Sequence, residues 1–403
     1  FSRALLGFGE AGNFPAAIKT TAEYFPKKER AFATGIFNSG TNVGAILAPL
    51  SVPWIALHWG WEAAFIIIGA IGFLWLIAWF IFYEIPAKQS RLSAAEKAFI
   101  NSDHEVEAIF EKGIETNKIT WLTLLKYKQT WAFAIGKFLT DGVWWFFLFW
   151  LPSYLKDQYS MEGTQIILPL SVLYSLTMIG SIGGGWFPTY FINKGAKPYE
   201  GRMKAMLLIA FIPLVVLFVQ PLGYLSFWVP VLLIGIGASA HQAWSANIYT
   251  TVSDMFPKRS IATVIGMGGM AGGMGGVVVS KMGGWLFDAY KVQGIQKAVN
   301  VAAEKGLTDF LQKTNALNVL DVNGIPLRIS EKEWSHLSDQ TIQSIQNINL
   351  QNYQVFYAIQ KQIIQEEMAV AYGYMFVFCA IAYLLAWRIM KWLVPKEKLI
   401  NLP

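Results

Sequence analysis

Nine stretches of this chain are apolar enough, over enough residues, to cross a lipid bilayer: about 1–20, 31–54, 62–83, 131–155, 165–192, 203–221, 226–252, 260–288 and 367–394. A bilayer's hydrocarbon core is about 30 Å thick, so a spanning helix needs roughly 20 predominantly apolar residues. Lipid offers no partner to an exposed backbone, so such stretches must satisfy their own N–H and C=O groups as helices. The expected fold class is therefore an all-α integral membrane protein. Composition agrees, with 54% hydrophobic and 14% charged residues. The single Cys379 excludes a disulfide framework and a cysteine metal cluster. There is no nucleophile with a base, no metal-ligand cluster and no cofactor loop, so neither an enzyme nor a metal site is expected.

A repeat orders these helices. A gap-free shift of 231 lays Glu23-Tyr24-Phe25-Pro26-Lys27-Lys28 on Asp254-Met255-Phe256-Pro257-Lys258-Arg259. The same shift puts Ala31 on Ala262, Gly35 on Gly266, Gly44 on Gly275 and Glu10 on His241. The identities are few but fall at the turn and the glycines, where backbone geometry limits the choice. Parallel repeats of whole membrane halves are a transporter signature, with the ligand site near the midplane between them. In the second unit three spans precede the helix that carries His241. The first unit should have three before the helix that carries Glu10. The chain is thus expected to hold nine of the twelve helices of a two-half bundle, starting in helix four: 1–83 as helices 4–6, 131–288 as helices 7–11 and 367–394 as helix 12.

Charge sets the orientation. The connections 25–30, 84–130, 193–204 and 253–260, with the tail from Arg388, hold 20 Lys and Arg. The connections 55–61, 156–164 and 222–225 hold only Lys156. By the positive-inside rule the first set, and with it the C-terminal tail 395–403, is cytoplasmic. The net charge of +6 then reflects topology and anionic lipid rather than nucleic acid. Residues 84–130 read as a cytoplasmic linker between the halves, with Ser93-Ala-Ala-Glu96 as a capping box opening a short helix. Residues 289–366 read as a polar extracytoplasmic insertion. It should combine a hairpin at Asn323-Gly324 with helix over 340–366.

The polar residues within apolar spans are the candidates for chemistry, because a charge there is expensive and usually faces a bundle interior. Arg3 and Glu10, seven apart, share a helix face. Burial would favour protonated Glu10 and Arg3 would oppose it, so the two are expected as a proton-coupling pair, against the alternative of a static buried network. Asn38, Thr41 and Asn42 in the first half, with His241, Gln242, Ser245 and Asn247 in the second, offer donors and acceptors suited to a polyol. Each could equally serve helix–helix hydrogen bonding. Lys137 and Asp141 are i,i+4 and should pair on the helix surface, either as a structural ion pair or as a gate or coupling pair. Among the aromatics Trp144, Trp145, Phe149 and Trp150, Trp145 is the candidate for stacking on a sugar ring, with packing as the alternative. Gly40, Gly44 and Ala48, and Gly268, Gly272 and Gly276, repeat every four residues and should let helices approach closely.

The segments RALLGFGEAGNFPAA, FNSGTNVGA, GKFLTDGVWWFFLFWLP and HQAWSANIYTTVSDMFPK resemble the hexuronate transporters of the anion:cation symporter branch of the major facilitator superfamily. The resemblance covers most of 1–290 and 367–394. It implies a twelve-helix fold and import of glucuronate or galacturonate by proton symport through alternating access, with no cofactor beyond the proton. It further implies a monomer in a bacterial-type inner membrane, in contact with lipid and a small sugar acid. The insertion at 289–366 departs from the family pattern. Rival readings are a carrier for another organic anion, such as galactonate or glucarate, and a non-transporting membrane sensor of sugar acids.

Overall fold

A computed structural model describes residues 2–102, 120–161, 163–308, 350–396 and 400, with the side chains of Arg3 and 350–353 excepted. All regular structure among them is helical. In chain order the helices are α1 (Ser2–Glu10), α2 (Asn13–Tyr24), α3 (Arg30–Trp59), α4 (Trp61–Phe82), α5 (Ala94–Ile100), α6 (Trp121–Leu124), α7 (Lys128–Tyr159), α8 (Ile167–Asn193), α9 (Pro198–Phe211), α10 (Val219–Leu222), α11 (Trp228–Met255), α12 (Lys258–Glu304) and α13 (Leu350–Leu393). Short 3-10 turns at Gly163–Ile166 and Ile212–Phe218 lead into α8 and α10. Among the described residues seven helical stretches are long and apolar enough to cross a membrane.

Two expected spans take another form. The run 1–20 is not one helix: it breaks at Ala11-Gly12 into α1 and α2. Glycine is among the poorest residues for holding a helix together. α11 is 28 residues long but falls outside the seven, and its C-terminal half, from His241 to Asp254, is buried throughout and rich in polar residues. α4 shows the opposite pattern. It buries only Ala64 and exposes Phe65, Ile66 and Phe80, the signature of a helix in lipid.

The repeat is visible in the backbone. Phe25 ends α2 at φ −123°, ψ 137°, with its N–H on the Thr21 carbonyl. Phe256 ends α11 at φ −116°, ψ 145°, with its N–H on the Val252 carbonyl. Both are followed by proline, which cannot donate to a continuing helix.

The polar connections are shorter than hydropathy suggests. Ser93 and Glu96 close the expected capping box at the start of α5. α12 continues to Glu304, past the apolar limit at 288, and α13 begins by Leu350 and runs unbroken into the last span. The Asn323-Gly324 hairpin and residues 340–349 lie outside the described residues.

The chain packs as two compact units. The larger comprises residues 1–152, 162–279 and 377–403. In it α8 packs along both α3 and α11. The smaller comprises 153–161 and 280–376. Its core is Ala298, Ala302, Leu307, Phe356 and Ile359. It is fastened by reciprocal amide-to-carbonyl bonds between Gln158 and Gln365 and by a Lys297–Glu367 ion pair.

Candidate functional site

α3, α8 and α11 meet where small residues let backbones touch. A Cβ on Gly35 would lie 2.4 Å from the Ser181 carbonyl oxygen, and one on Gly185 2.4 Å from that of Ala31. Gly180 and Gly184 stand equally close to Ser239 and Ala243 of α11. Only glycine allows this approach.

A chain of polar side chains lies along that seam. Asn38 Nδ2 donates to Gln242 Oε1 at 2.6 Å and to Ser181 Oγ at 3.2 Å. Ser181 Oγ donates to the Gly35 carbonyl at 2.8 Å, and Gln242 Nε2 reaches Asn42 Oδ1 at 3.5 Å. Asn247 Nδ2 donates to the carbonyls of Gly184 and Ala243, each at 2.8 Å. All five side chains are buried. Asn42 Nδ2, Asn247 Oδ1 and Trp244 Nε1 are buried with no partner among the described residues. Buried polar atoms are nearly always satisfied, so each such exception marks a place where a polar ligand or water would be welcome.

A charged group stands on α7. Lys137 Nζ lies 2.7 Å from Asp141 Oδ2 and donates to the Tyr249 hydroxyl at 2.8 Å, with the Tyr249 ring centroid 4.1 Å away. The expected i,i+4 pair forms, but inside the bundle rather than on its surface: Lys137 is 2% exposed. Asp141 rests against Gly272, where a Cβ would sit 2.1 Å from Oδ2. The expected ridge Gly268, Gly272, Gly276 is thus where α12 meets Phe133, Asp141 and Trp145 of α7. Its counterpart Gly40 and Gly44 has no side chain or backbone within Cβ reach among the described residues; Gly35 makes the close contact in α3.

His241 is held rather than free. Its Nδ1 bonds to the Tyr383 hydroxyl at 2.8 Å, and Trp144 stacks on its ring at 5.1 Å. Trp145 is half-buried and stacks on Phe149 at 5.4 Å. Ser245 is buried, whereas Thr41 is exposed with its hydroxyl on the Asn38 carbonyl at 2.8 Å. Glu10 is exposed at the end of α1, which corrects the expectation that it is buried: the helix that should have carried it inward ends there. The Arg3 side chain lies outside the described residues.

Two arginines escaped notice as more than basic loop residues. Arg202 forks onto Asp254, Nε to Oδ2 at 2.6 Å and Nη2 to Oδ1 at 2.8 Å, and Nη2 also reaches the Lys27 carbonyl at 2.6 Å. Arg30 bonds the carbonyls of Ala22 at 3.0 Å, Phe25 at 2.9 Å and Ser253 at 3.2 Å. Ala22 and Ser253 are 231 apart, so Arg30 straddles equivalent carbonyls of the two repeats. A cavity of about 480 Å³ beside α2 and α4, lined by Tyr24, Trp79, Tyr83 and Arg91 among others, includes none of the candidate residues.

Residues 1–280 match the family model described as Major Facilitator Superfamily. The chain belongs to this superfamily. It is 31% identical over 292 residues to the hexuronate transporter of Escherichia coli K12, covering 71% of this chain and 66% of that one. It is 33% identical over 190 residues to the galacturonate transporter of Dickeya chrysanthemi, covering 47% of this chain and 54% of the other. The probable galactarate/D-glucarate transporter GarP of E. coli K12 is 28% identical over 293 residues, covering 71% and 65%. The chain thus spans somewhat less than two thirds of the length of these relatives. All three are named as transporters.

Proposed function

We propose that this protein is a secondary active transporter that imports a hexuronate, glucuronate or galacturonate, with protons. The observation that carries the reading is the buried polar seam of Asn38, Ser181, Gln242 and Asn42 between α3, α8 and α11, with donors and acceptors left over for a polyol. The names of its relatives supply the substrate class. Import runs by rocking of one repeat against the other, which must break the bonds that cross between repeats, Arg30 to the Ser253 carbonyl and Arg202 to the Lys27 carbonyl. Those ties lie at the basic, cytoplasmic end, in an inner membrane with the C-terminus inside. Glu10 with Arg3 remains the proposed proton-coupling pair in the first repeat. Asn38, Thr41, Asn42, Trp145, His241, Gln242, Ser245 and Asn247 are the proposed substrate contacts. The match to GarP favours a second reading, a carrier for an aldarate; an aldonate such as galactonate is the other rival left from the sequence.

The test is uptake of labelled glucuronate into proteoliposomes under an imposed proton gradient, beside Glu10→Gln. The wild type should concentrate glucuronate several-fold, and Glu10→Gln should exchange it without concentrating it. A mutant that concentrates as well as wild type removes Glu10 from coupling. A wild type inert to glucuronate but active on galactarate gives the second reading, and one active on galactonate instead gives the aldonate rival.

A further inference from the structure

Lys137 is an unusual residue to find where it is. Its side chain is 2% exposed in the first third of a membrane-type helix, and the membrane-embedded surroundings make an unpaired charge there costly. Two of its three N–H donors are taken, by Asp141 Oδ2 at 2.7 Å and by the Tyr249 hydroxyl at 2.8 Å. The partner carboxylate is held less firmly. Among the described residues Asp141 receives a hydrogen bond from Lys137 alone, and the oxygen that takes it, Oδ2, also lies against the bare backbone of Gly272. The Asp141 side chain retains 16% exposure against 2% for Lys137. Both members sit on one helix, so their bond to each other ties no second element into the fold. The cation is thus built in, while its anion is replaceable.

Resting on the reading that the protein carries an organic acid, we propose that Lys137 is the receptor for the substrate carboxylate and Asp141 the internal anion that it displaces. The exchange balances. Before it, Lys137 and Asp141 sum to zero. An aqueous proton adds to Asp141, the substrate carboxylate accepts the Lys137 N–H that Asp141 gives up, and the three groups again sum to zero. No net charge enters the low-dielectric site, which is what makes the step affordable in energy. Tyr249 stays bonded to the ammonium and positions it throughout. The groups that face Asp141 and Lys137 are few: Tyr249 and His241 from α11, Tyr383 from α13, and no titratable side chain at Gly272 of α12. His241 is engaged by Tyr383 and Tyr249 by Lys137, so Asp141 is the acidic group able to trade its partner.

The experiment measures equilibrium binding of labelled glucuronate by the purified protein at several pH values, with accumulation and exchange in proteoliposomes. In the wild type, affinity should weaken about tenfold per pH unit once Asp141 is deprotonated in the empty site, because one proton binds with each substrate. Asp141→Asn should bind with no such pH dependence and exchange substrate without concentrating it, whereas Glu10→Gln should keep the pH dependence of binding, its proposed part being in the translocation step that follows. Lys137→Met/Asp141→Asn, a neutral pair of similar size, should fold but lose glucuronate affinity at least tenfold. If the pair is only structural, this double variant will bind and concentrate like wild type, and the proposal fails. The proposal also fails if Asp141→Asn keeps the pH dependence and Glu10→Gln loses it. Should Asp141→Asn alone not fold, the double variant and the wild-type pH series still decide. A wild type that binds none of the acids tested overturns the transporter reading instead, which separates the two failures.

Discussion

Asn42 ends the amide chain of the seam with a donor that nothing accepts among the described residues. A buried unsatisfied group costs about 1–3 kcal/mol. Asn42→Leu should therefore raise the thermal midpoint of the unliganded protein in detergent while weakening glucuronate uptake several-fold, read by thermal unfolding and transport on one preparation. A lower midpoint would show that Asn42 serves packing. At Gly272 the geometry predicts the reverse cost: Gly272→Ala puts a carbon where Asp141 Oδ2 now sits and should lower the midpoint. The residue types that make up the seam were legible in the sequence, since polar side chains stand out in apolar spans. Their pairings were not. Nothing in sequence spacing joins Asn38 to Gln242, 204 positions away, or says that His241 spends its Nδ1 on Tyr383.

Among elements, the contact of α3 with α8 depends on glycine at both sides. Gly185→Val should separate the helices and lower both stability and uptake, whereas Gly183→Val, where none of the described residues lies within Cβ reach, should leave stability near wild type. The α5 cap carries a pH dependence. The Ser93 N–H donating to its carboxylate, helped by the Ser93 hydroxyl, holds Glu96 below the usual glutamate range. A depressed folded value means the cap is present above the unfolded value and lost as pH falls through the folded one. The Glu96 carboxyl resonance should thus titrate below that of free glutamate, and Ser93→Ala, which keeps the N–H of residue 93, should return it only part of the way. Helices were legible from apolarity, but their ends were not. Hydropathy stops a span where the lipid ends, while α12 and α13 run on through Lys, Gln, Asn and Val, because an advancing helix needs backbone hydrogen bonds rather than apolar side chains. The converse error fell at 1–20, where two residues, Ala11 and Gly12, split an apolar run.

For the whole molecule, the repeat was legible at Phe25-Pro26 and Phe256-Pro257 because turn geometry restricts residue choice. What fastens one repeat to the other was hidden: Arg30 and Arg202 look like any loop cations until folded. Arg202→Gln leaves Asp254 buried and unpaired, a loss of about 3–5 kcal/mol, and Arg202→Gln/Asp254→Asn should recover part of it. With the buried Cys379 replaced, a cysteine introduced at Lys27 becomes a reporter of this junction. Arg30→Ala should raise its labelling by a water-soluble maleimide several-fold; unchanged labelling would show that the tie does not limit opening.

Where these arginines cross between repeats, to Lys27 and to Ser253, the acceptors are main-chain carbonyls. Every amino acid brings that oxygen. Positions 27 and 253 are therefore free to drift as far as these bonds are concerned, while 30 and 202 are not. A contact of this kind is inherited through one partner only, and pairwise coevolution would pass over it.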